Sequence, residues 1–292
     1  MNQPINKSAQ PFSTQNPQKI AIIGCANMGS AIAERLSSHH QIILYDHNPE
    51  KATKLVNNAF GTTTTSLEEA LEKADIVILA IKPQNLKQSA PSIQEFLKDK
   101  HTLISLLTSI TLLQLKEFFP ISQIVRMMPN TPLLCGEGMI AFCSQEREPF
   151  YTKDQLSTLF APLGKLLWLN ENKIDAFTAL AGSGPAFIFA MIEAIVESGI
   201  AMGFPATEAQ AIACQMIKGS AALLESSEKH PAELKWQVTS PGGTTIEGLK
   251  TFEDHAVIPK CVQILVFGKE KAPGIKRSKT SPYYNIGSIL IA

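Results

Sequence analysis

Two glycine-rich segments of this 292-residue chain have the residue types best suited to chemistry. The first, Gly24–Gly29 (GCANMG), keeps the outer glycines of the G-x-G-x-x-G dinucleotide fingerprint but has Ala26 at its middle position. In that fingerprint the first glycine permits a tight turn, the second admits the pyrophosphate, and the third packs helix on strand. The methyl group of Ala26 either weakens cofactor binding or is accommodated by a small shift. Because the segment follows a predicted strand and opens a predicted helix, a dinucleotide site is favoured over an ordinary strand–helix turn.

Asp46 ends the next predicted strand and is the candidate for cofactor choice. A carboxylate at this position accepts hydrogen bonds from the ribose 2′-hydroxyl and repels a 2′-phosphate, which favours NAD. His47, Asn48 and Lys51 follow and are able to receive a phosphate instead, which would favour NADP. A third interpretation is that Asp46 only caps the turn. The residues leave the choice between NADH and NADPH open.

The second glycine-rich segment is Val238–Glu247 (VTSPGGTTIE). Thr244 and Glu247 have the spacing of a capping box, so a helix is predicted to begin there. Glycines and hydroxyl groups at a helix N-terminus can bind an anion, since free amides and the positive end of the helix dipole face it. A substrate carboxylate would suit this site. The alternative is a well-capped helix without a ligand.

The composition limits the class of protein and its partners. There are 26 Lys and Arg and 26 Asp and Glu, so neither nucleic acid nor an anionic membrane is an expected partner. The five cysteines are scattered and form no C-x-x-C pair, which predicts neither a disulfide framework nor a zinc site and fits a cytoplasmic protein. The six histidines have no ligand spacing, so no metal is expected.

Strands and helices alternate in the first half of the chain, which predicts a Rossmann-type, doubly wound parallel sheet. Ligands of such sheets bind at the carboxyl ends of the strands. We expect a disordered polar tail over residues 1–18 and the dinucleotide-binding domain over residues 19–169. The predicted strands are the short apolar runs Lys19–Gly24, Gln41–Asp46, Ala74–Ile81, Thr102–Leu107 and Ser122–Met127, with a helix over Lys51–Asn58.

The second half is predicted to be an all-helical domain over residues 170–292. Its most apolar segment, Phe187–Phe204, contains Glu193 and Glu197, which favours a buried helix over a membrane span. Thr207 and Gln210 have the spacing of a capping box for the next helix. The apolar stripes of these helices are expected to form a core or a subunit contact.

Five motifs in this order resemble the Δ1-pyrroline-5-carboxylate reductase family. The resemblance runs from about Lys19 to about Leu249, and its last three motifs together are specific. The motifs are Gly24–Gly29, Ala80–Gln84 (AIKPQ), Arg126–Pro132 (RMMPNTP), Ala179–Phe187 (ALAGSGPAF) and Val238–Thr245 (VTSPGGTT).

The resemblance implies reduction of a cyclic imine to L-proline by hydride from NADPH or NADH. It also implies a Rossmann domain followed by a helical dimerisation domain, assembled as a homodimer or a ring of dimers. Thr245 is then the catalytic candidate, beside the ring nitrogen. The implied substrate-binding residues are Ser240, Gly242, Gly243 and Thr244. Asn130 and Thr131 are expected to shape the substrate pocket as further substrate-binding residues, and the alternative is that they only form a turn at Pro129-Asn130. The implied cofactor-binding residues are Ile23, Gly24, Cys25, Ala26, Asn27, Met28, Gly29, Asp46, Ala80, Ile81, Lys82 and Pro83.

Several positions depart from the family pattern. Thr108 and Ser109 stand where the family commonly has Ala-Gly beside the nicotinamide, so Ser109 is strained if the backbone there needs a positive φ. Glycines and prolines, beginning with Gly268, are predicted to break any long helix in the atypical tail over residues 264–292. These departures keep two alternatives open: a related dehydrogenase of the β-hydroxyacid type, and an inactive nucleotide-binding regulatory homologue.

Overall fold

The structure is a computed structural model that describes residues 17–120, 123–145 and 151–270, with side chains of the last helix described through residue 266. The predicted tail over residues 1–18 therefore lies almost entirely outside the described residues. So do Ser122 and residues 271–292 of the atypical C-terminal segment.

One eight-stranded sheet forms the N-terminal half, in the order β3-β2-β1-β4-β5-β6-β7-β8. Neighbouring strands from β3 to β6 pair in parallel, as expected. The prediction of a doubly wound parallel sheet is confirmed, and at one edge β7, which the sequence did not predict, pairs antiparallel with β6 before β8 pairs parallel with β7. The strands are β1 (Lys19–Ile23), β2 (Gln41–Tyr45), β3 (Thr62–Thr63), β4 (Ile76–Leu79), β5 (Thr102–Ser105), β6 (Gln123–Met128), β7 (Gly138–Cys143) and β8 (Gly164–Trp168).

Twelve α-helices are described. They are α1 (Asn27–Leu36), α2 (Pro49–Asn57), α3 (Leu67–Glu72), α4 (Leu86–Phe96), α5 (Leu112–Phe118), α6 (Lys153–Phe160), α7 (Ile174–Phe177), α8 (Gly184–Ala201), α9 (Ala206–Ser227), α10 (Pro231–Gln237), α11 (Thr244–Asp254) and α12 (Val257–Glu270). Short 3-10 turns join several of them, and Thr178–Gly182 is π-helical.

Alternate side chains of each central strand enter two different cores, one on each face of the sheet. In β1, Ile20 and Ile22 belong to one core, and Ala21 and Ile23 belong to the other. This alternation follows from the two-residue period of a strand, and burial on both faces explains the continuous apolar runs of the sequence. The sheet is therefore held rigidly, with its strand ends in fixed positions.

Two predicted helix starts are wrong in detail. α9 begins at Ala206 with Pro205 as its N-cap, so Thr207 lies inside the helix and no capping box forms with Gln210. α11 begins at Thr244 as predicted, but its N-cap is Gly243 and no side chain caps it. Glu247 instead accepts a hydrogen bond from Lys250 one turn along. Capping-box spacing alone therefore located the helix start only approximately.

The chain divides into two compact units between Gly182 and Ser183. All the helices and strands that the structure describes in the C-terminal unit are helices, as predicted, and short turns join them. Within it α8 packs on α9, where a Cβ on Gly199 would stand 2.9 Å from the Cβ of Ala209. α12 continues through Gly268, so the expected helix break at that glycine is wrong.

The prediction that the Phe187–Phe204 segment is buried is wrong for the single chain, since α8 contains no buried residue. Helical residues Glu171–Ala201 form the one stretch of the described chain that is long and apolar enough to cross a membrane. Large apolar side chains of α9, including Ile212, Met216 and Leu223, are also exposed. The C-terminal unit thus presents an extensive apolar surface.

Candidate functional site

A cavity of about 500 Å³ opens at the carboxyl ends of β1, β2 and β4. This is where a doubly wound sheet binds its ligands. Seven of the predicted cofactor-binding residues line it: Ile23, Gly24, Ala26, Asp46, Ala80, Ile81 and Lys82. The other five belong to the same turns or to α1 but do not line the cavity: Cys25, Asn27, Met28, Gly29 and Pro83.

The geometry of the glycine turn explains which glycines the backbone requires. Gly24 has a φ of +105°, and a Cβ there would stand 2.7 Å from the carbonyl oxygen of Ala80. A Cβ on Gly29 would overlap the carbonyl oxygen of Gly24. Ala26 has a φ of −83°, is exposed, and serves as the N-cap of α1. The folded backbone therefore requires the two outer glycines and accepts alanine between them.

The same turn fits a dinucleotide pyrophosphate. Ala26 offers no side-chain acceptor, so the first amides of α1 have no cap from a side chain. These amides and the positive end of the dipole of α1 can bind an anionic group. Among the described residues, no group of three or more His, Cys, Asp or Glu residues is placed to hold a metal ion.

Asp46 holds the glycine turn against the end of β2. Its Oδ2 accepts a hydrogen bond from the amide of Cys25 at 2.8 Å, and its Oδ1 accepts one from the amide of Asn48 at 2.9 Å. The Nδ1 of His47 lies 3.1 Å from the same Oδ1, and only 4% of the Asp46 side chain is exposed. The carboxylate thus both caps its own turn and fixes the turn that follows β1.

The thiol of Cys25 is unreactive in this position. Burial raises the pKa of its thiol to about 12, with a further contribution from the negative charge of Asp46 and an opposing one from Lys51. The thiol therefore stays protonated near neutral pH and does not act as a nucleophile. It contributes to packing beneath the turn.

One wall of the cavity was not predicted from the sequence. Asn85, Gln88, Ser89 and Ser92 line the cavity from the 3-10 turn after Lys82 and from α4. The spacing i, i+3, i+4 and i+7 places them on one helical face. The polar residues at helical spacing directly after Pro83 are the sequence feature from which this wall could have been predicted. Amide and hydroxyl groups in this arrangement can hydrogen-bond to a nucleotide base or sugar.

Asn130 joins two motifs within the N-terminal unit. Its Nδ2 donates to the carbonyl of Ala181 at 2.9 Å, and its Oδ1 accepts from the amide of Met139 at 2.9 Å. It is buried, whereas Thr131 is exposed at the start of a 3-10 turn. The Asn130 amide thus fixes the loop after β6 against the π-helical segment, a feature that is frequent at functional sites.

A second connection involves the sequence motif of β6. The Nη1 of Arg126 lies 2.8 Å from the Oε1 of Glu171, which also accepts a hydrogen bond from the amide of Leu112 at 2.6 Å. This links β6, the start of α5 and the segment that leads into α7. The spacing of residues in the sequence predicted neither the Arg126–Glu171 ion pair nor the hydrogen bond from the Leu112 amide to Glu171.

The turn between β5 and α5 contains Ser109, whose φ of +66° is the left-handed conformation expected to strain a serine.

The loop Ser240–Thr245 lies in the C-terminal unit and leads into α11. Gly242 has a φ of +67°, and the amide of Gly243 donates to the carbonyl of Ser240 at 3.1 Å. Thr244 and Thr245 open α11, and no side chain caps its first amides. Ser240 and Thr244 are exposed, and Thr245 is half-buried. This helix N-terminus therefore has the free donors that a carboxylate needs.

Two family models match the chain. Residues 171–270 match the pyrroline-5-carboxylate reductase dimerisation family. Residues 19–109 match the family described as NADP oxidoreductase, coenzyme F420-dependent. The first match assigns the helical region to dimerisation, and the second agrees with a nicotinamide-dinucleotide site in the sheet domain.

Named relatives cover most of the chain. Pyrroline-5-carboxylate reductase of Synechocystis sp. is 34% identical over 244 residues, covering 80% of this chain and 90% of that protein. The enzyme of the same name from Arabidopsis thaliana is 34% identical over 266 residues, covering 89% and 96%. The crystal structure of Plasmodium falciparum pyrroline carboxylate reductase with NADP bound has a TM-score of 0.80 and 27% identity, covering 89% and 98%. The chain therefore belongs to the pyrroline-5-carboxylate reductase family.

Proposed function

We propose that this protein reduces 1-pyrroline-5-carboxylate to L-proline with NADPH or NADH, the last step of proline biosynthesis. The observation that carries the proposal is the cavity at the carboxyl ends of β1, β2 and β4, in a chain that belongs to this reductase family. The two glycines required by its turn, the uncapped amides of α1 and the adjacent lysine Lys82 suit a dinucleotide. The uncapped start of α11 suits the substrate carboxylate.

The cofactor, when bound, supplies a hydride to the imine carbon. The chain itself must hold the two reactants in a productive geometry, because an imine is already electrophilic and needs little acid catalysis. We assign nucleotide binding to the cavity-lining residues around Gly24, Asp46 and Lys82. The amides of Thr244 and Thr245 would hold the carboxylate, and the Thr245 hydroxyl would donate to or accept from the ring nitrogen.

We assign Asn130 a supporting role in the substrate site. Both ends of its side-chain amide are engaged, at Ala181 and Met139, so its contribution is to hold the surrounding loop. Thr131 is exposed beside it and keeps a free hydroxyl for substrate. Ser240, Gly242 and Gly243 would shape the loop that presents the α11 amides.

We also propose that the helical domain starts near residue 170, where the match to the dimerisation family begins, and that it forms a homodimer or a ring of dimers. The exposed apolar side chains of α8 and α9 support a subunit contact. We further propose a small-molecule enzyme of the cytoplasm that binds neither nucleic acid nor membranes. The scattered cysteines fit the cytoplasm, and the balance of 26 basic and 26 acidic residues gives no attraction to a polyanion.

The test is turnover by the purified full-length chain. We would mix it with 1-pyrroline-5-carboxylate and either NADPH or NADH, and follow the near-ultraviolet absorbance of the reduced nicotinamide. We expect a substrate-dependent loss with at least one cofactor. A folded protein that binds NADPH without consuming it would contradict the proposal and favour an inactive nucleotide-binding homologue. Turnover of a β-hydroxyacid with the oxidised cofactor would favour the dehydrogenase alternative.

A further inference from the structure

A buried ion pair connects the end of β6 with the start of α5. Arg126 of β6 is paired in register with Ser105, the last residue of β5, so it lies at the carboxyl edge of the sheet. Its Nη1 lies 2.8 Å from the Oε1 of Glu171, and that oxygen also accepts a hydrogen bond from the amide of Leu112 at 2.6 Å. One carboxylate oxygen therefore joins β6 to the first residue of α5.

The start of α5 is already capped without Glu171. Thr111 and Gln114 form a complete capping box, in which the Thr111 hydroxyl accepts the amide of Gln114 and the Gln114 side-chain oxygen accepts the amide of Thr111. The hydrogen bond from the Leu112 amide to Glu171 is additional, and it joins residues that are 59 positions apart. Its effect is to tie the turn before α5 to the segment that leads into α7.

The ion pair is a costly way to stabilise a fold. Only 5% of the Arg126 side chain and 21% of the Glu171 side chain are exposed. Among the described residues the Nε of Arg126 is buried without a hydrogen-bond partner, and Nη1 bonds to a single oxygen instead of forming the stronger two-point contact with a carboxylate. Removing such charges from water offsets most of their attraction. Stability alone therefore does not account for the pair.

The turn that Glu171 holds has a second cost, the left-handed conformation of Ser109. Backbone strain of this kind persists only where the surrounding structure enforces it, and it is concentrated at functional sites. The turn follows the carboxyl end of β5, which is the neighbour of β4 in the sheet, and Ala80, Ile81 and Lys82 after β4 line the cavity. The strained turn therefore belongs to the edge of the sheet that binds ligands.

We infer that Arg126 and Glu171 are positioning residues for hydride transfer, because Arg126 holds the Glu171 carboxylate and the carboxylate holds the turn between β5 and α5. The inference rests on the proposed reductase function. Neither side chain lines the cavity, so both act through the turn and not on the reactants. A shift of about 1 Å in the position of a reactant can slow a reaction about a hundredfold, which makes the placement of this turn important for the rate.

Steady-state kinetics of three variants test the inference, with kcat expressed per folded molecule. Arg126→Met and Glu171→Leu should each lower kcat about tenfold or more, with the KM for 1-pyrroline-5-carboxylate within about twofold of the parent's. The deuterium isotope effect on kcat, measured with reduced cofactor deuterated at C4, should rise because hydride transfer becomes the slow step. Arg126→Lys should restore part of the kcat lost in Arg126→Met, since an ammonium group can still contact one oxygen.

The double variant Arg126→Met with Glu171→Leu separates positioning from stability. It leaves no unpaired charge in the interior, so it should unfold at a urea concentration close to the parent's even if a single variant does not fold. Because Arg126 acts through Glu171, its kcat should equal that of Glu171→Leu. Losses that multiply in the double variant would contradict this order of action. A double variant with the parent's kcat and isotope effect would overturn the inference.

His101→Ala is the matched control. His101 precedes β5, at the opposite end of that strand from the turn, and its ring also makes two hydrogen bonds. Loss of the ring should lower stability and leave both kcat per folded molecule and the isotope effect unchanged. If His101→Ala lowered kcat and raised the isotope effect as much as Arg126→Met does, the effect would be a general one of destabilisation, and the inference would be wrong.

Hydrogen exchange measures the turn in the full chain without substrate. We expect faster exchange over residues 106–112 in Arg126→Met and in the double variant than in the parent, and no such change in His101→Ala. Unchanged exchange of the turn would overturn the inference. A parent that does not reduce 1-pyrroline-5-carboxylate would reject the proposed function, and the role in hydride transfer with it. An active parent whose double variant keeps full kcat rejects the inference alone.

Discussion

Ser109 shows at the scale of one residue how a departure from a family pattern becomes a physical cost. It adopts a φ of +66° in the turn between β5 and α5, where the family commonly has glycine. A side chain in the left-handed region crowds its own backbone, whereas glycine has no Cβ to do so. The chain therefore carries strain in a turn that the family resemblance places beside the nicotinamide.

Replacing Ser109 tests this strain. Because relief of the left-handed conformation exceeds the extra unfolded-state entropy of glycine, Ser109→Gly should raise the free energy of unfolding by about 0.5 kcal/mol. Ser109→Val should lower it by about 1 kcal/mol, since a branched side chain is worse in this region. Urea denaturation measures both. A valine variant as stable as the parent would contradict the strained turn.

Thr245 is the residue on which the proposed chemistry depends most. Thr245→Ala should reduce kcat at least about tenfold, because a hydrogen bond formed at the reacting centre is lost. The affinity for NADPH, measured by fluorescence titration, should stay within about twofold. Thr251→Ala, further along α11, is the control, because among the described residues the Thr251 hydroxyl bonds only to the backbone carbonyl of Glu247. Equal losses of kcat and cofactor affinity in Thr245→Ala would contradict the assigned role.

At the scale of elements, two histidines fasten loops to the sheet domain. The Nδ1 of His101 accepts from the amide of Lys98 at 2.8 Å, and its Nε2 donates to the carbonyl of Leu71 at 2.9 Å. This closes the connection from α4 to β5 onto the end of α3. His40 forms the same arrangement more weakly, with the amide of Gln18 at 3.3 Å and the carbonyl of Leu159 at 3.2 Å. Each ring must keep one nitrogen unprotonated.

The two hydrogen bonds of the His101 ring predict that the stability of the fold depends on pH. Burial lowers the pKa of His101 below its ordinary value of 6.5; Lys100 and Lys98 lower it further, while the Leu71 bond and Asp75 oppose the shift. The unfolded chain then binds the proton more readily. The stabilisation is complete above pH 6.5 and is lost as the pH falls through the folded pKa.

Denaturation of the parent and of His101→Gln between pH 7.5 and 5 checks this. The variant, which lacks the titrating ring, should lose less unfolding free energy over that interval than the parent loses. Because the carboxylates and His40 titrate in both proteins, the difference between the two slopes isolates His101. If the free energy of unfolding fell in parallel with pH in the two proteins, protonation of His101 would not contribute to the pH dependence of stability.

The sequence predicted the strands well where an apolar run reflects burial on both faces. It predicted less well the features that are decided by contacts between distant segments. The buried runs of β1 and β4 were identifiable because both faces of a parallel strand are apolar. The reversal at β7 was not, since an apolar run such as Gly138–Cys143 does not encode its pairing direction. For the site, the glycine turn follows from spacing. The engagement of Asp46 by the Cys25 amide depends on a contact between distant segments, and spacing did not specify it.

At the scale of the whole molecule, the apolar helices of the C-terminal unit account for the family's dimerisation region. α8 has no buried residue, and Ile212, Met216 and Leu223 extend an apolar stripe along α9. Their exposure is costly in water, and the proposed contact with a second copy of the chain would remove that cost. Such a contact would also account for the helical stretch Glu171–Ala201, which has the length and composition of a membrane span.

Assembly should therefore depend on the α9 stripe. Met216→Glu should shift the protein towards monomer in sedimentation velocity, because an unpaired carboxylate at an apolar interface costs about 3 kcal/mol or more. Leu113→Glu, at a position that is 70% exposed in the N-terminal unit, is the control and should assemble like the parent. If both variants sediment as the parent does, α9 does not form the subunit contact.

Isotope transfer is the most direct test of the central claim that this chain is an imine reductase of proline synthesis. The assembled protein would be given 1-pyrroline-5-carboxylate and NADPH or NADH with deuterium at both hydrogen positions of C4 of the nicotinamide, and the product analysed by mass spectrometry. The account predicts L-proline with a single deuterium at C5, formed at a rate that matches cofactor oxidation. Oxidation of the cofactor without deuterated proline, or no reaction in a protein shown to bind NADPH, would contradict it.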